Sequence, residues 1–522
     1  MAKKIYIYDT TLRDGSQGEG ISFSVEDKIK ITQRLDGMGV DFIEGGWPGS
    51  NPKDMDYFLR MQSIPLKHAK VAAFGSTRRP NSKASDDDNL KMFVASGVSI
   101  VTIFGKTWDF HVIEALGTTL EENLAMISES VEFLKANNMR VFYDAEHFFD
   151  GYKANKEYAI KTLQAAEAAG AEYLCLCDTN GGTLPLEITN IMQELGEYVK
   201  IPLGIHCHND SGLAIANTIM AVDAGAKLVQ GTINGFGERC GNVDLCVVLA
   251  NLEIKMGYSC LPKGNLKQLT ELSHFVYEIA NIAPQNNQPF VGNSAFAHKG
   301  GIHVSAVLKN PATYEHVDHE IVGNKRRVLV SELSGISNLN YKSKELGLEL
   351  PQDKVIRREI VKEIKNLEYE GYSFEGAEGS LELLMRKHMK EFKPKYTLDS
   401  MHVWTEKNGK NGVYSEATLK IKVDKEIMHT AADGNGPVNA LDIALRKALL
   451  PYYPEIAEMQ LVDYKVRVLD EKSATGAKVR VLIESKDHTS NWTTIGVSSD
   501  IIAASWHALV DSMDFYLMKL GK

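Results

Sequence analysis

The 522-residue chain has no apolar run near the roughly 20 residues that cross a bilayer, so it predicts no membrane span. Cysteine is scarce: there are six, all between Cys175 and Cys260. A disulfide scaffold would spread them through a small chain, so they read as reduced, buried thiols of a cytoplasmic protein. Positive charge is also short, with 58 Lys and Arg against 68 Asp and Glu and a formal net charge of -10. That balance excludes a general nucleic-acid binder, whose basic face must neutralise phosphates. It leaves room for small anionic ligands, which need only local arginines and backbone N–H groups. No signal-like apolar segment precedes the first strand-like stretch, because Met1-Ala2-Lys3-Lys4-Ile5-Tyr6 runs directly into it. The first strand–helix turn lacks a G-x-G-x-x-G phosphate loop, which argues against an open dinucleotide-binding sheet.

What is present is an alternation. From residue 4 to about 258, strand-like runs alternate with helical ones. The strands are Lys4–Tyr8, Asp41–Glu44, Lys70–Phe74, Ser99–Phe104, Arg140–Asp144, Tyr173–Cys177, Leu203–His206 and Leu228–Gly231. Helical stretches include Val25–Met38, Leu120–Asn137, Lys156–Ala169, Leu186–Tyr198 and Leu213–Ala224, with Asn155 and Ser211 as N-cap candidates. Eight such units in this length predict an α/β fold, a (β/α)8 TIM barrel, with its site at the C-terminal ends of the strands. The chain is too long for one core. We expect a catalytic barrel over 1–285, a mostly helical linker over 286–395 and a C-terminal α+β domain over 396–522.

The stretch Gly204-Ile205-His206-Cys207-His208-Asn209-Asp210 places two histidines on one face of the seventh strand, because strand side chains alternate with period 2. Arg13 and Asp14 follow the first strand and Glu44 ends the second. Asp144 and Glu146, then Asp178 and Thr179, lie at strands five and six, and Asn234, Glu238 and Asn242 lie beyond the eighth. A barrel interior prefers apolar packing, so ionisable groups gathered at one mouth point to chemistry. Asp14, His206 and His208 offer one carboxylate and two imidazoles, a set that leaves positions open for water and substrate on a Lewis-acid metal. Cys175-x-Cys177 lacks zinc-site spacing and reads as structural.

These motifs carry a resemblance. Asp9-Thr10-Thr11-Leu12-Arg13-Asp14-Gly15, the His-Cys-His segment and Gly235-Phe236-Gly237-Glu238-Arg239-Cys240-Gly241-Asn242 are similar to those of the metal-dependent 2-isopropylmalate, homocitrate and citramalate synthase family. Ser16-Gln17-Gly18-Glu19-Gly20 and Tyr143–Gly151 resemble its long citramalate branch. The resemblance implies a divalent metal (Mg²⁺, Mn²⁺, Co²⁺ or Zn²⁺) on Asp14, His206, His208 and Asn242. It implies Arg13 at the developing alkoxide, Thr179 at the oxo-acid carboxylate and Glu146 near the acetyl methyl of acetyl-CoA. Phe74, Thr102, Phe104 and Asp144 are expected near the acceptor pocket, although a pyruvate pocket would more naturally carry an apolar wall where Asp144 stands. Pyruvate is the expected acceptor, with 2-oxoisovalerate as the alternative. A lyase of the 3-hydroxy-3-methylglutaryl-CoA type would share the barrel, but Glu238–Asn242 and the C-terminal region fit a synthase better.

Phe296–His303 and Ala312–Glu315 resemble the family's linker segments, which implies functional positions for His303, as general base, and Tyr314, with the linker reaching over a partner's barrel in a homodimer. Beyond Tyr396 the pattern becomes βββα twice over, with strands Leu398–Trp404, Ser415–Lys422 and Glu426–Ala432 before the helix Val438–Leu449. Gln460–Leu469, Lys478–Ser485 and Thr493–Val497 precede the second helix, Asp500–Lys519, capped by Ser498 or Ser499. Gly434-Asn435-Gly436-Pro437 could offer N–H groups to an anion at a helix start. This module resembles the family's regulatory domain, for which isoleucine is the expected effector.

Overall fold

The computed structural model describes residues 2–408, 412–423, 425–469 and 476–521. It divides into two compact units, one of residues 1–296 with 316–326 and one of 297–315 with 327–522. In the first, eight parallel strands close into a barrel in sequence order. They are β1 (Tyr6–Asp9), β2 (Phe42–Gly46), β3 (Lys70–Ser76), β4 (Ile100–Lys106), β5 (Arg140–Glu146), β6 (Tyr173–Asp178), β7 (Leu203–Cys207) and β8 (Leu228–Gly231). The expected alternation is therefore the observed one.

Local chemistry sets the element ends. Ser24 and Asp27 form a reciprocal capping box at the head of helix Val25–Met38, and Gly39 closes it with a left-handed φ of 92°. Asn155 caps Lys156–Ala168 as expected. Ser211 does not cap the next predicted helix. Ala214–Asp223 begins at Leu213 without a side-chain cap there, and the Ala214 N–H donates to Asn209 Oδ1 at 3.3 Å instead.

Period-2 alternation sorts the barrel's side chains into layers. Tyr8, Phe42, Ala72, Ile100, Phe142, Tyr173 and Leu228 form a buried cluster from alternating inward positions, with the Phe42 and Phe142 rings edge-to-face at 5.2 Å. Inward residues nearer the C-terminal ends, Glu44, Phe74, Asp144, His206 and Gln230, carry polar or aromatic groups. Apolar filling below and chemistry above is what the barrel architecture dictates.

In the second unit β9 (Ala297–His298) pairs in parallel with β10 (Arg327–Val328). Helices Ile336–Glu345, Lys354–Glu370 and Glu378–His388 follow, the last preceded by a 3-10 turn at Phe374–Gly376. Then β11 (Tyr396–Asn408), β12 (Gly412–Val423) and β13 (Glu426–Gly434) form an antiparallel sheet before helix Pro437–Leu449. A second sheet of β14 (Gln460–Val468), β15 (Val479–Lys486) and β16 (Asn491–Ser498) precedes helix Ile501–Lys519. This is the twofold βββα expectation. The cap of the last helix is Asp500, whose carboxylate accepts from Ala503 N at 2.8 Å, not Ser498 or Ser499. At the glycine-rich start of 437–449 the Asn435 N–H already donates to Asn439 Oδ1, so it is not free for an anion. Among the described residues no helix is long and apolar enough to cross a membrane.

Candidate metal-dependent active site

The turn after β1 is built by Asp9. Its carboxylate accepts from the Thr11 N–H and hydroxyl at 3.0 and 2.8 Å, while Asp14 N–H donates back to Thr10 O. This knot turns Arg13 and Asp14 into the mouth. Arg13 Nε donates to Glu44 Oε1 at 2.6 Å, its guanidinium carbon lies 3.6 Å above the Phe74 ring, and Nη1 is 3.6 Å from Asp14 Oδ2. Tyr8 donates its hydroxyl to the other Glu44 oxygen. Burial would weaken the Arg13 cation, but Glu44 and Asp14 outweigh that and raise its pKa.

Opposite Arg13, His206 Nε2 lies 3.4 Å from Asp14 Oδ2 and 3.3 Å from His208 Nε2. Donor atoms sharing one cation at bonds of about 2.0–2.2 Å sit about 2.9–3.5 Å apart in octahedral or tetrahedral arrangements, so these spacings suit a single ion. All three side chains are buried, with ligand atoms within 4.8 Å of one another. Asn242 pairs across an isolated bridge with His208, and its buried Oδ1 has no hydrogen-bond partner among the described residues. An orphaned carbonyl beside two imidazoles and a carboxylate fits a fourth ligand. Burial holds both imidazole pKa values down, His208 to about 4 with His206 adding to the effect, so both rings are neutral donors at pH 7. Burial alone would raise Asp14, yet Arg13 and then the two histidines bring it below the ordinary carboxylate range.

The cavity around this set has a volume of about 230 Å³. Besides Arg13, Asp14, His206 and His208 it is lined by Phe74, Phe104, Asp144, Glu146, Thr179 and Glu238, as the sequence suggested. The Phe74 and Phe104 rings stack at 5.4 Å and Trp47 stands edge-on to both. Thr179 Oγ1 accepts from the N–H of His147, whose left-handed φ of 54° turns the chain into helix Phe148–Ala154 directly after Glu146. Glu146 pairs with Lys106 at the end of β4.

Thr102, Asp178 and Asn234 depart from the expected placement for reasons of strand parity or loop course. Thr102 bonds to Tyr8 OH one layer deeper and does not line the cavity. Asp178 follows inward Cys177, so it points outward and accepts from Thr183. Asn234 turns toward Ser273 and Gln288. His303 and Tyr314 belong to the second unit, where both are exposed and their rings lie 4.3 Å apart. Asp144, Cys175 and Cys177 form another buried cluster, in which burial pushes the Cys177 thiol up to about 11 and raises the Cys175 thiol well above its ordinary value.

Sequence reasoning passed over Trp47, Lys106, Gln230 and Arg239. Trp47 directly follows β2, and Lys106 shares parity with inward Phe104; position alone could have found both. Gln230 is a polar residue on the inward face of an apolar strand, and its Oε1 lies 3.0 Å from His206 Nδ1. Arg239 grips Asp210 with Nε and Nη2 at 2.8 and 3.0 Å, holding the glycine loop against the His-Cys-His segment.

Comparison with known proteins agrees with this site. Residues 4–276 match the family described as HMGL-like, residues 290–371 the homocitrate synthase post-HMGL domain-like family, and residues 375–517 the LeuA allosteric (dimerisation) domain. The chain is 54% identical over 521 residues to an (R)-citramalate synthase of Aquifex aeolicus, covering 99% of both chains. It is 54% identical over 516 residues to one of Geobacter sulfurreducens, covering 99% of this chain and 98% of that one. A 2-isopropylmalate synthase of Methanocaldococcus jannaschii is 33% identical over 525 residues, covering 99% and 96%. With this fold, this site and this full-length likeness, the chain belongs to the (R)-citramalate synthase family, among the wider group of 2-isopropylmalate and homocitrate synthases.

Proposed function

We infer that the protein condenses acetyl-CoA with pyruvate and hydrolyses the product thioester, giving (R)-citramalate and free CoA at the head of a pyruvate route to isoleucine. The observation that carries the reaction class is the buried Asp14–His206–His208 set beside Arg13 in a pocket of about 230 Å³. The acceptor is drawn from the name of the relatives that share 54% identity.

Bound by Asp14, His206, His208 and Asn242, a divalent cation (Mn²⁺, Mg²⁺, Co²⁺ or Zn²⁺) supplies Lewis-acid polarisation of the 2-oxo acid's ketone. Arg13, fixed by Glu44 and Phe74, meets the negative charge that develops on the ketone oxygen as the carbon–carbon bond forms. Thr179 holds the oxo-acid carboxylate, while Phe74 and Phe104 wall the acceptor's alkyl end with Asp144 beside them. The acetyl methyl is a very weak acid, so a base must take its proton. We assign that role to His303, with Tyr314 next to it and Glu146 near the methyl group. These two linker residues reach the barrel of a partner subunit in a homodimer. On this reading residues 1–285 are catalytic, 286–395 are the linker and 396–522 bind isoleucine as a feedback effector, in a cytoplasmic enzyme.

The test is CoA release from acetyl-CoA, followed with a thiol reagent. Strong preference for pyruvate, abolished by a chelator, supports the reading. Preference for 2-oxoisovalerate would favour the second reading, 2-isopropylmalate synthesis, to which the 33% relative points. No release with either acceptor would sink both.

A further inference from the structure

Asp144 is the residue that suits a pyruvate pocket least, and the structure gives it a partner. Its Oδ1 accepts from Gln230 Nε2 at 2.8 Å, a bond across the barrel interior between strands β5 and β8. Gln230 is also the cross-strand neighbour of His206 on β7, and its Oε1 lies 3.0 Å from His206 Nδ1. None of the three side chains meets solvent appreciably: Asp144 is 3%, Gln230 0% and His206 5% exposed.

The direction of these bonds follows from donor chemistry. Gln230 Nε2 donates to Asp144 Oδ1, and that arrangement leaves the amide oxygen toward His206 Nδ1. An amide oxygen only accepts, so a neutral His206 carries its hydrogen on Nδ1 and keeps the lone pair on Nε2. Nε2 is the atom 3.4 Å from Asp14 and 3.3 Å from His208. Without Asp144 the amide can turn over, present its NH₂ to Nδ1 and move the ring hydrogen to Nε2, where it blocks ligation.

We propose that Asp144 and Gln230 are positioning residues that select the Nδ1–H tautomer of His206 and so keep Nε2 ready for a divalent cation. The proposal rests on the metal reading given above. It also explains why a carboxylate stands at the pocket wall: it orients a ligand from across the barrel.

The experiment is Mn²⁺ titration calorimetry on full-length, chelator-stripped protein, with Tm recorded for each variant. Gln230→Leu removes the acceptor and should weaken Mn²⁺ binding about 10–100-fold, the usual loss when a ligand histidine's hydrogen-bond partner is removed. Saturating Mn²⁺ should restore its kcat, which damage to the fold would not allow. Asp144→Asn, nearly isosteric, should weaken binding because neither side of the pair now dictates the amide's direction. The double variant Asp144→Asn with Gln230→Glu rebuilds the same direction: the introduced amide donates to the introduced carboxylate, which accepts in turn from His206 Nδ1–H. It should bind Mn²⁺ more tightly than either single variant, within about threefold of wild type.

Wild-type affinity in Gln230→Leu, or a double variant no tighter than the weaker single, overturns the relay. Should Gln230→Leu fail to fold, the Asp144→Asn, Gln230→Glu and double variants decide the matter. His206→Ala separates the two levels of the argument. If it binds Mn²⁺ like wild type, or wild type binds none, the metal reading falls and the relay with it. If only the relay variants behave like wild type, the metal reading stands.

Discussion

Replacing Arg13 with lysine keeps a positive charge at the barrel mouth and removes only the planar fork. The structure shows what that fork does: Nε is 2.6 Å from Glu44 Oε1, and the guanidinium lies 3.6 Å above Phe74. An ammonium is a compact point charge that cannot keep this bond and also stack flat on the ring. Two costs follow. Fully buried Glu44 keeps only the Tyr8 hydroxyl, and a buried acceptor left short costs about 1–3 kcal/mol of stability. If Arg13 faces the developing alkoxide, losing one aimed donor raises the barrier by about 2.7–4 kcal/mol, or about 10²–10³ in kcat. CoA release gives kcat and KM separately, and thermal unfolding gives the stability term. The expected result is a kcat loss of at least a hundredfold, with a smaller change in KM for pyruvate and a modest drop in Tm. A lysine variant with kcat within about threefold of wild type would refute the assignment, whatever its Tm.

Three further outcomes test other parts of the molecule. Lys28 is buried and donates to Asp54 Oδ1 and Gly45 O at 2.5 and 2.9 Å, while Asp54 Oδ2 accepts from the N–H of Trp47 in the cavity wall. Lys28→Met leaves that carboxylate uncompensated and should cost about 3–5 kcal/mol in chemical denaturation; a loss under 1 kcal/mol would show that the pair is not holding the loop. Gly237 sits at φ 155°, and a Cβ there would come within 2.2 Å of Asn242 Nδ2. Gly237→Ala should therefore displace that amide and lower kcat/KM at least tenfold with an unchanged circular dichroism spectrum; full activity would mean the close approach is dispensable. Burial, and after it Asp511, pushes the Asp514 carboxyl up to about 7, so the folded state holds a proton that the unfolded chain has released. Stability from this group is full below the unfolded value of about 4 and lost as pH rises to 7, by roughly 2–4 kcal/mol. Asp514→Asn should gain Tm over wild type between pH 5 and 7, with the gap level above 7; a pH-independent gap would refute the shift.

The eight strands, most helices and the twofold βββα module were legible because backbone periodicity and caps are local. Asp14, His206 and His208 were legible for the same reason: their positions at strand ends and the two-residue spacing of the histidines already fix a face and a mouth. Parity decided what a strand list could not, sending Cys177 inward and Asp178 out to Thr183. The loop ends were harder, since Asn209 and Asp500 supply bonds that neighbouring serines could equally have made.

The sequence by itself determined the kind of fold, the mouth that holds the chemistry and a carboxylate–imidazole set suited to a metal. Only the tertiary structure decided that Asp144 answers Gln230, 86 residues further along the chain, and that Arg13 is clamped between Glu44 and Phe74. Closure of the barrel sets those pairings. Which side chains meet across the lumen depends on the register of all eight strands together, and no local pattern encodes that register.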